Sequence, residues 1–507
     1  MEIILSVDLG TSAIKTALFD SKGNLLASSN QEYNLLTPTN LSVEMQVETY
    51  WNSFKNSVRD IISKSNIKKD EVSVIGISAQ GETLILLDKS YQPLRNAIVW
   101  MDSRAQKESE ELSKIFVNED VYGITGQVSI APTWPASKIY WVKKNEPSIF
   151  EKVSKYLLIE DYFIHRLTGE FAAEGSLLCS TLYWDIHSKK YWGKMLNTLE
   201  ISEEQLPPIY ESGIVVGNIL PSIADEIGLS IKTKVCTGVL DQVAGAIGVG
   251  NVKTGIFSEC TGSALAVVAT MNKAFKDPGK RMPCHYHGMP NTYMAHTFTT
   301  GGMVMKWYKD NFCKCEKAIA EDIAKDPYSI MTEGAESVTP GADGLIMLPH
   351  LQGAMAPENN PQARGVFYGI TLAHKKPHFV RSIMEGISFI LKRNLDVVEE
   401  LGISPTEIRS IGGGAKSKLW SQIKADITGK PIIVTKTDEE ACLGAAIVAG
   451  VGVGIFKDLK EASTSMVEKQ DEFEPNHKAS KKYSSIYERY KNLYDNLVPI
   501  FKQENKI

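Results

Sequence analysis

The feature that most restricts the fold of this chain is a short pattern that occurs twice. Ile3–Val7 is rich in apolar, β-branched residues and runs into Asp8-Leu9-Gly10-Thr11-Ser12, after which apolar character resumes from Ile14 to Phe19. Two short strands joined by a Gly-Thr turn are expected there. Much later, Gly255–Cys260 reads as a strand, Thr261-Gly262-Ser263 as a tight turn, and Ala264–Ala269 as apolar again. The echo suggests two related α/β halves joined near residue 250. Two unrelated hairpins marked by small residues would give the same local signal, so the rest of the chain has to decide.

The rest alternates. Ser21-Lys22-Gly23-Asn24 is placed to close a hairpin. Trp51, Phe54, Val58 and Ile61 share one face of a helix expected over Trp51–Ser63, while Val72–Ser78 and Leu84–Leu87 read as buried strands. From Thr237 to Val249 small residues predominate, as where a helix packs closely on its surroundings. Phe379–Leu401 has the spacing of a long helix. A strand at Ile408–Ile411, a helix over Ser417–Ile427, a strand at Ile432–Val434 and an Ala- and Gly-rich helix over Glu439–Ala449 follow. Tyr483, Ile486, Tyr490, Leu493 and Leu497 form the stripe of an amphipathic tail helix, read as a packing face. Such alternation predicts an α/β architecture. The 507 residues exceed the roughly 250–300 at which one core stops growing, so two domains are expected, residues 1–250 and 251–507.

Composition narrows the class further. Apolar residues at 43% and charged residues at 23% place the chain with ordinary globular proteins. A balance of 55 Lys and Arg against 60 Asp and Glu gives a net charge of −5. That argues against a protein built to hold nucleic acid or an anionic membrane. Seven cysteines without a regular even framework favour a reduced, cytoplasmic setting. The N-terminus lacks a basic leader, and no stretch nears the ~18 apolar residues of a membrane span.

Four constellations carry chemistry. In Asp8-Leu9-Gly10-Thr11-Ser12 with Lys15, small residues let backbone N–H groups and hydroxyls approach a phosphate, and Asp8 suits Mg²⁺, a hard ion that prefers carboxylate oxygen. Gly412-Gly413-Gly414, followed by Ala415 and Ser417, allows a flat ring or phosphate to lie against backbone near a helix start. It is neither a Walker A loop nor Gly-x-Gly-x-x-Gly. Asp241 stands alone among Val, Leu, Gly and Ala, either as a helix cap or as a purposeful buried carboxylate. Gln80-Gly81-Glu82-Thr83 with Trp100-Met101-Asp102-Ser103-Arg104 offers the donors and acceptors that hydroxyl recognition needs. Cys284-His285-Tyr286-His287, even with Cys313 and Cys315, lacks the spacing of a zinc site. His350 reads as a satisfied structural histidine.

In order along the chain, these segments resemble the FGGY carbohydrate kinases over roughly residues 2–455. Asp8–Lys15 is similar to the family's first phosphate motif, and Asn96 to Arg104 to its Ala-Ile-x-Trp-x-Asp-x-Arg segment. Gly238-Val239-Leu240-Asp241-Gln242 is similar to the segment bearing the catalytic base, and Thr261-Gly262 to the second phosphate motif. Pro361 through Arg364-Gly365 adds a further family-like stretch, and residues 412–431 resemble the C-terminal signature that lies at the adenosine. The resemblance implies two RNase-H-like domains of the actin/Hsp70 ATPase type around a cleft, and ATP-dependent phosphorylation of a sugar or polyol. In that reading Asp241 is the base and Asp8 organises Mg²⁺. Thr11, Ser12, Lys15, Thr261 and Gly262 contact the phosphates, and Gly413, Gly414, Ala415 and Ser417 lie along the adenosine. Gln80, Glu82, Trp100 and Asp102 face the acceptor.

For the acceptor, Thr125-Gly126, Ala136-Ser137-Lys138 with Trp141, and Leu167-Thr168-Gly169-Glu170-Phe171 resemble the family's xylulokinase branch. That branch commonly has Gln-Met-His-Gly at positions 80–83, whereas Glu82-Thr83 matches the glycerol-kinase pattern. Gly81 replaces the arginine of that pattern and leaves room for an acceptor larger than glycerol. Leu177 stands where many xylulokinases carry aspartate. A ketopentose such as D-xylulose is the first expectation, with gluconate, glycerol, erythritol or another ketose behind it. A chaperone-like or filament-forming ATPase and a non-catalytic sugar sensor are the readings from other classes; the retained Asp8 and Asp241 speak against the sensor. The sequence leaves a homodimer open.

Overall fold

Ile3, Ile4, Leu5, Val7 and Leu9 are all buried, and this continuous apolar run makes β1 (Ile3–Leu9) a central strand, covered on both faces. The computed structural model describes residues 2–503. β2 (Ala13–Asp20) and β3 (Leu25–Glu32) continue from β1 as an antiparallel meander, with Gly23 at φ +80° closing the expected hairpin. The first helix, α1 (Val47–Lys64), buries Trp51, Phe54, Val58 and Ile61 and begins four residues before Trp51. β4 (Val72–Ala79) pairs parallel with β1. β5 (Val215–Asn218) and β6 (Lys234–Cys236) extend the sheet, and β7 (Val239–Leu240) lies beside the end of β4. Between these strands the chain builds a smaller five-stranded sheet that includes Leu84–Leu87 and Ala97–Ile98, and the helix α2 (Pro135–Asn145). β7 leads directly into α3 (Asp241–Gly248).

The second half repeats the scheme. β8 (Ile256–Thr261) and β9 (Ala264–Met271) are antiparallel, β10 (Cys284–Tyr286) and β11 (Tyr293–Thr300) follow, and β11 pairs antiparallel with β9. The long helix α4 (Lys376–Glu400) precedes β12 (Glu407–Ile411), which lies parallel to β8. After α5 (Lys418–Thr428) comes β13 (Ile432–Thr435), parallel to β12. β3-β2-β1-β4-β6 in the first sheet and β11-β9-β8-β12-β13 in the second therefore share one sequence of strand directions. The repeated hairpin is the head of two equivalent sheets, and the fold is the two-domain α/β architecture expected.

One element crosses between the halves. α6 (Glu440–Gly452), although it follows β13, packs on the first sheet, where Cys442, Leu443, Ala446 and Ile447 join the core of β1 and β4. Gly76 on β4 permits this: a β carbon there would stand 2.4 Å from the Ala445 carbonyl oxygen. All strands of the first sheet precede residue 250, but its helical cover is completed by the second half. β14 (Lys469–Phe473) then closes the second sheet beside β13. The tail helix α7 (His477–Phe501) starts at Asn476, whose side chain caps it, and buries Tyr483, Ile486, Tyr487 and Tyr490. Its tyrosines meet Phe389 on α4, so the stripe is a packing face. No described helix is long and apolar enough to cross a membrane.

Candidate active site

Two cavities matter here, one lined from both halves of the chain and one lined by the second half alone. The first, about 210 Å³, is lined by Asp8 from β1, Asp241 and Gln242 from α3, Cys260 from β8 and Glu440 from α6. Asp8 sits near the end of a parallel-paired strand, and its Oδ1 accepts the Ser78 hydroxyl from β4 at 2.7 Å. Burial pushes the Asp8 carboxyl up, opposed by the Ser78 hydrogen bond and the Lys15 charge. Asp241 opens α3, and its Oδ1 accepts the Gln242 N–H at 2.6 Å. Burial, then the negative charges of Asp8 and Glu82, push its carboxyl up to about 7. A carboxyl poised near neutrality can take a proton and release it, which a general base requires. Glu440, at the start of α6, is raised to about 7, chiefly by burial.

The strand before Asp241 is anchored from below. The Leu240 N–H donates to Ser176 Oγ at 2.9 Å, and the Ser176 hydroxyl donates to Glu174 at 2.6 Å. Gly238 N–H donates to Glu160 Oε1 at 2.8 Å. Burial and the neighbouring carboxylate charge raise Glu160 well above the usual carboxylate range.

The second cavity, about 250 Å³, is bounded by Thr261, Gly262 and Ser263 on one side and by Gly413, Gly414 and Ser417 on the other, with Met384 and Trp420 among its apolar walls. The glycines are required by proximity: a β carbon on Gly414 would lie 2.6 Å from Thr261 Cβ. Ser417 accepts the Trp420 N–H at 3.2 Å and so caps α5, while Ala415 is buried and does not line the cavity. Thr261 Oγ1 donates to Glu259 at 2.6 Å, and Glu259 is held by Lys424 at 2.6 Å in an ion pair with neither side chain exposed.

In the Gln80–Thr83 segment, Glu82 adopts φ +51°, a left-handed conformation that costs a non-glycine residue roughly 1–2 kcal/mol. The Lys138 ammonium donates to its carbonyl at 3.0 Å, and a hydrogen bond to a charged group is worth about 1.5–3 kcal/mol, enough to offset that strain. Burial raises the Glu82 carboxyl, and burial lowers the Lys138 ammonium. The Trp100 indole N–H donates to Thr11 Oγ1 at 2.8 Å, which ties the segment around Trp100 to the first Gly-Thr turn. Gln80 donates to the Gly10 carbonyl at 3.2 Å and to Tyr50 at 3.3 Å, and its Oε1 is buried without a partner among the described residues.

Several expected site residues are placed otherwise. Asp102 is fully buried and, like Gln80, Glu82 and Trp100, lines neither cavity. Its oxygens accept the Val43 N–H at 2.6 Å and the Arg104 guanidinium at 2.7 and 2.9 Å, so it is an anchor for Arg104 and not a free acceptor contact. Lys15 pairs with Glu439 at 3.2 Å across the two halves. Ser12 is exposed at the first turn. His350 is buried, but both of its ring nitrogens lack a partner among the described residues, so it is packed and unsatisfied. His285 is buried beside Cys179 at 3.3 Å and pushed down to about 3 by burial, and no three His, Cys, Asp or Glu among the described residues form a metal cage.

Sequence reasoning missed Glu440, Lys138, Ser176 and the Glu259–Lys424 pair as parts of the site. Glu440 had one signal, a carboxylate opening a helix of small residues. The others act through backbone or through another side chain and leave no spacing to read.

Known proteins share this two-domain organisation. Residues 3–248 match the model for the FGGY family of carbohydrate kinases, N-terminal domain, and residues 261–453 that for the C-terminal domain. The chain is 31% identical over 495 residues to the Bacillus subtilis protein named xylulose kinase, covering 97% of both. It is 28% identical over 491 residues to the Bacillus subtilis gluconokinase, covering 97% of this chain and 95% of that one. The solved structure of ligand-bound xylulose kinase from Lactobacillus acidophilus superposes with a TM-score of 0.90 at 25% identity, covering 99% of this chain and all of that one, 100%.

Proposed function

Because the chain belongs to the FGGY family of carbohydrate kinases, and so phosphorylates a sugar or polyol with ATP, we propose that its acceptor is a ketopentose, D-xylulose first. The observation that carries the mechanism is Asp241, at the start of α3 in a cavity shared with Asp8 and pushed up to about 7 by burial and neighbouring charge. Asp241 accepts the proton of the attacking hydroxyl, a contribution of roughly 10²–10⁴-fold for a positioned base. The relatives named xylulose kinase support the ketopentose, and Gly81 supports an acceptor larger than glycerol.

Phosphoryl transfer rests on positioning and charge stabilisation, so the donor groups come from both halves. Thr11 and Ser12 on one side and Thr261 and Gly262 on the other present hydroxyls and backbone N–H groups to the phosphates. Lys15 contributes charge while paired with Glu439. Gly413, Gly414 and Ser417 lie along the adenosine, with Met384 and Trp420 as an apolar wall. Ala415 supports that loop from behind. Asp8 fits Mg²⁺: one carboxylate oxygen takes the Ser78 hydroxyl and the side chain lines the cavity, a hard oxygen donor. When bound, Mg²⁺ supplies charge neutralisation at the phosphates. On the acceptor, Glu82, Trp100 and the unpartnered Gln80 Oε1 orient the hydroxyls. Residues 1–250 thus carry the acceptor and the base, and residues 251–507 most of the nucleotide site. The cytoplasm is the fitting location, where ATP and reduced thiols coexist; the seven cysteines are free.

The test is a coupled ADP-release screen over ketoses, polyols and aldonic acids at saturating ATP. D-xylulose should give the highest kcat/KM. A better response to gluconate would move the assignment to an aldonate, and no acceptor above the ATPase background would overturn it.

A further inference from the structure

The two segments that carry Glu82 and Trp100 are joined by a side chain that belongs to neither. Lys138, on α2, is fully buried, and its Nζ donates to the carbonyls of Glu82 at 3.0 Å, Val99 at 3.0 Å and Trp100 at 3.3 Å. An ammonium has three protons to donate, so the three carbonyls use all of them. The charges that act on it are Glu82, Asp102 and Arg104. Burying an ammonium is costly unless hydrogen bonds replace its water, and here backbone carbonyls do so. The same two segments are also joined by the Trp100 backbone N–H, which donates to Thr83 Oγ1 at 3.2 Å, and by the pairing of Leu84 with Ile98 just beyond. Removing the ammonium would leave three carbonyls converging with no donor between them.

We propose that Lys138 is a positioning residue for acceptor recognition: it clamps segments 81–83 and 99–101 together and so sets the spacing between Glu82 and Trp100. It is fully buried and lines neither cavity. Trp100 in turn donates to Thr11, so the clamp also aligns the acceptor segment with the first phosphate turn. The inference rests on the reading of Glu82 and Trp100 as acceptor contacts.

The test uses the full chain with Lys138→Met, which keeps the stem and removes every donor, and Lys138→Gln, which keeps one donor group. Steady-state kinetics with D-xylulose and ATP are paired with hydrogen exchange of peptides covering residues 80–84 and 98–102. Lys138→Met should raise the acceptor KM about tenfold or more, the equivalent of one charge-assisted hydrogen bond, and leave the ATP KM within about twofold. Exchange should accelerate in both segments together and not in the second half, with Lys138→Gln intermediate in both readouts. An unchanged acceptor KM, or faster exchange spread over the whole chain, overturns the proposal. If Lys138→Met does not accumulate folded, Lys138→Gln is read by the same two criteria. If the unmodified chain phosphorylates no sugar, the kinase reading fails, while the exchange arm still decides whether Lys138 clamps the segments.

Discussion

A β carbon on Gly444 would stand 1.8 Å from the carbonyl oxygen of Ala244, so α3 and α6 cross with no side chain between them. Gly248 meets the Glu440 carbonyl at 1.9 Å in the same sense. These helices begin at Asp241 and Glu440, and their crossing therefore sets the width of the cavity that both carboxylates line. Gly444→Ala must push them apart. It should cost about 1–3 kcal/mol of stability, as overpacking does, and lower kcat more than it raises the ATP KM. Urea unfolding together with steady-state kinetics measures both; a fully stable, fully active variant would show that the crossing is adjustable.

The Asp241 carboxyl, raised to about 7, gives the reaction a pH signature. A base works only when deprotonated, and its deprotonated fraction falls about tenfold for each unit below its pKa. kcat/KM for the acceptor should therefore decline along an acid limb with a midpoint near 7. A midpoint near the ordinary carboxylate value of about 4 would contradict the placement of Asp241 as a buried base beside Asp8.

Gly81 faces Leu240 and Ser180: a β carbon would lie 3.1 Å from Leu240 Cδ1 and 3.6 Å from Ser180 Oγ. Gly81→Ala should narrow the acceptor space and raise the KM for D-xylulose by about tenfold, the low end of the effect of one methylene in a pocket. The KM for glycerol, a smaller acceptor, should change less. Equal effects on both would place Gly81 outside the acceptor wall.

Beside the Thr261-Gly262 turn, Lys424 and Glu259 form a buried ion pair, and Glu259 also accepts the Thr261 hydroxyl. Lys424→Met leaves a buried charge uncompensated and should cost about 3–5 kcal/mol. The double variant Lys424→Met, Glu259→Gln should recover most of that stability, while the ATP KM stays raised because Thr261 has lost its ionised partner. Thermal unfolding of the three proteins checks the first statement, and the ATP KM the second.

These residues also explain how far the sequence could be read. The repeated hairpins, the helix faces of α1, α4 and α7, and the order of the motifs were legible, because burial imposes a period and turns impose small residues. The crossing of α6 onto the first sheet was not, since Ala- and Gly-rich helices have no polar face to orient them. The sequence points to Asp102 as an acceptor contact because hydroxyl recognition needs both donors and acceptors. Its bidentate partner is Arg104, two residues on, a pairing that the bare motif does not distinguish from a free carboxylate. Lys138 gives no signal beyond its motif, since its partners are backbone carbonyls and carry no residue type. Side chains that act through the backbone are invisible to spacing.

The proposed role of Asp241 as base toward a ketopentose is tested by acceptor-dependent ADP release from the unmodified chain and from Asp241→Asn. With D-xylulose and saturating ATP, the unmodified chain should release ADP well above its acceptor-free rate. Asp241→Asn should lose about 10²–10⁴-fold in kcat while still binding ATP. Equal ADP release with and without any sugar, or an Asp241→Asn variant as active as the unmodified chain, would contradict the account.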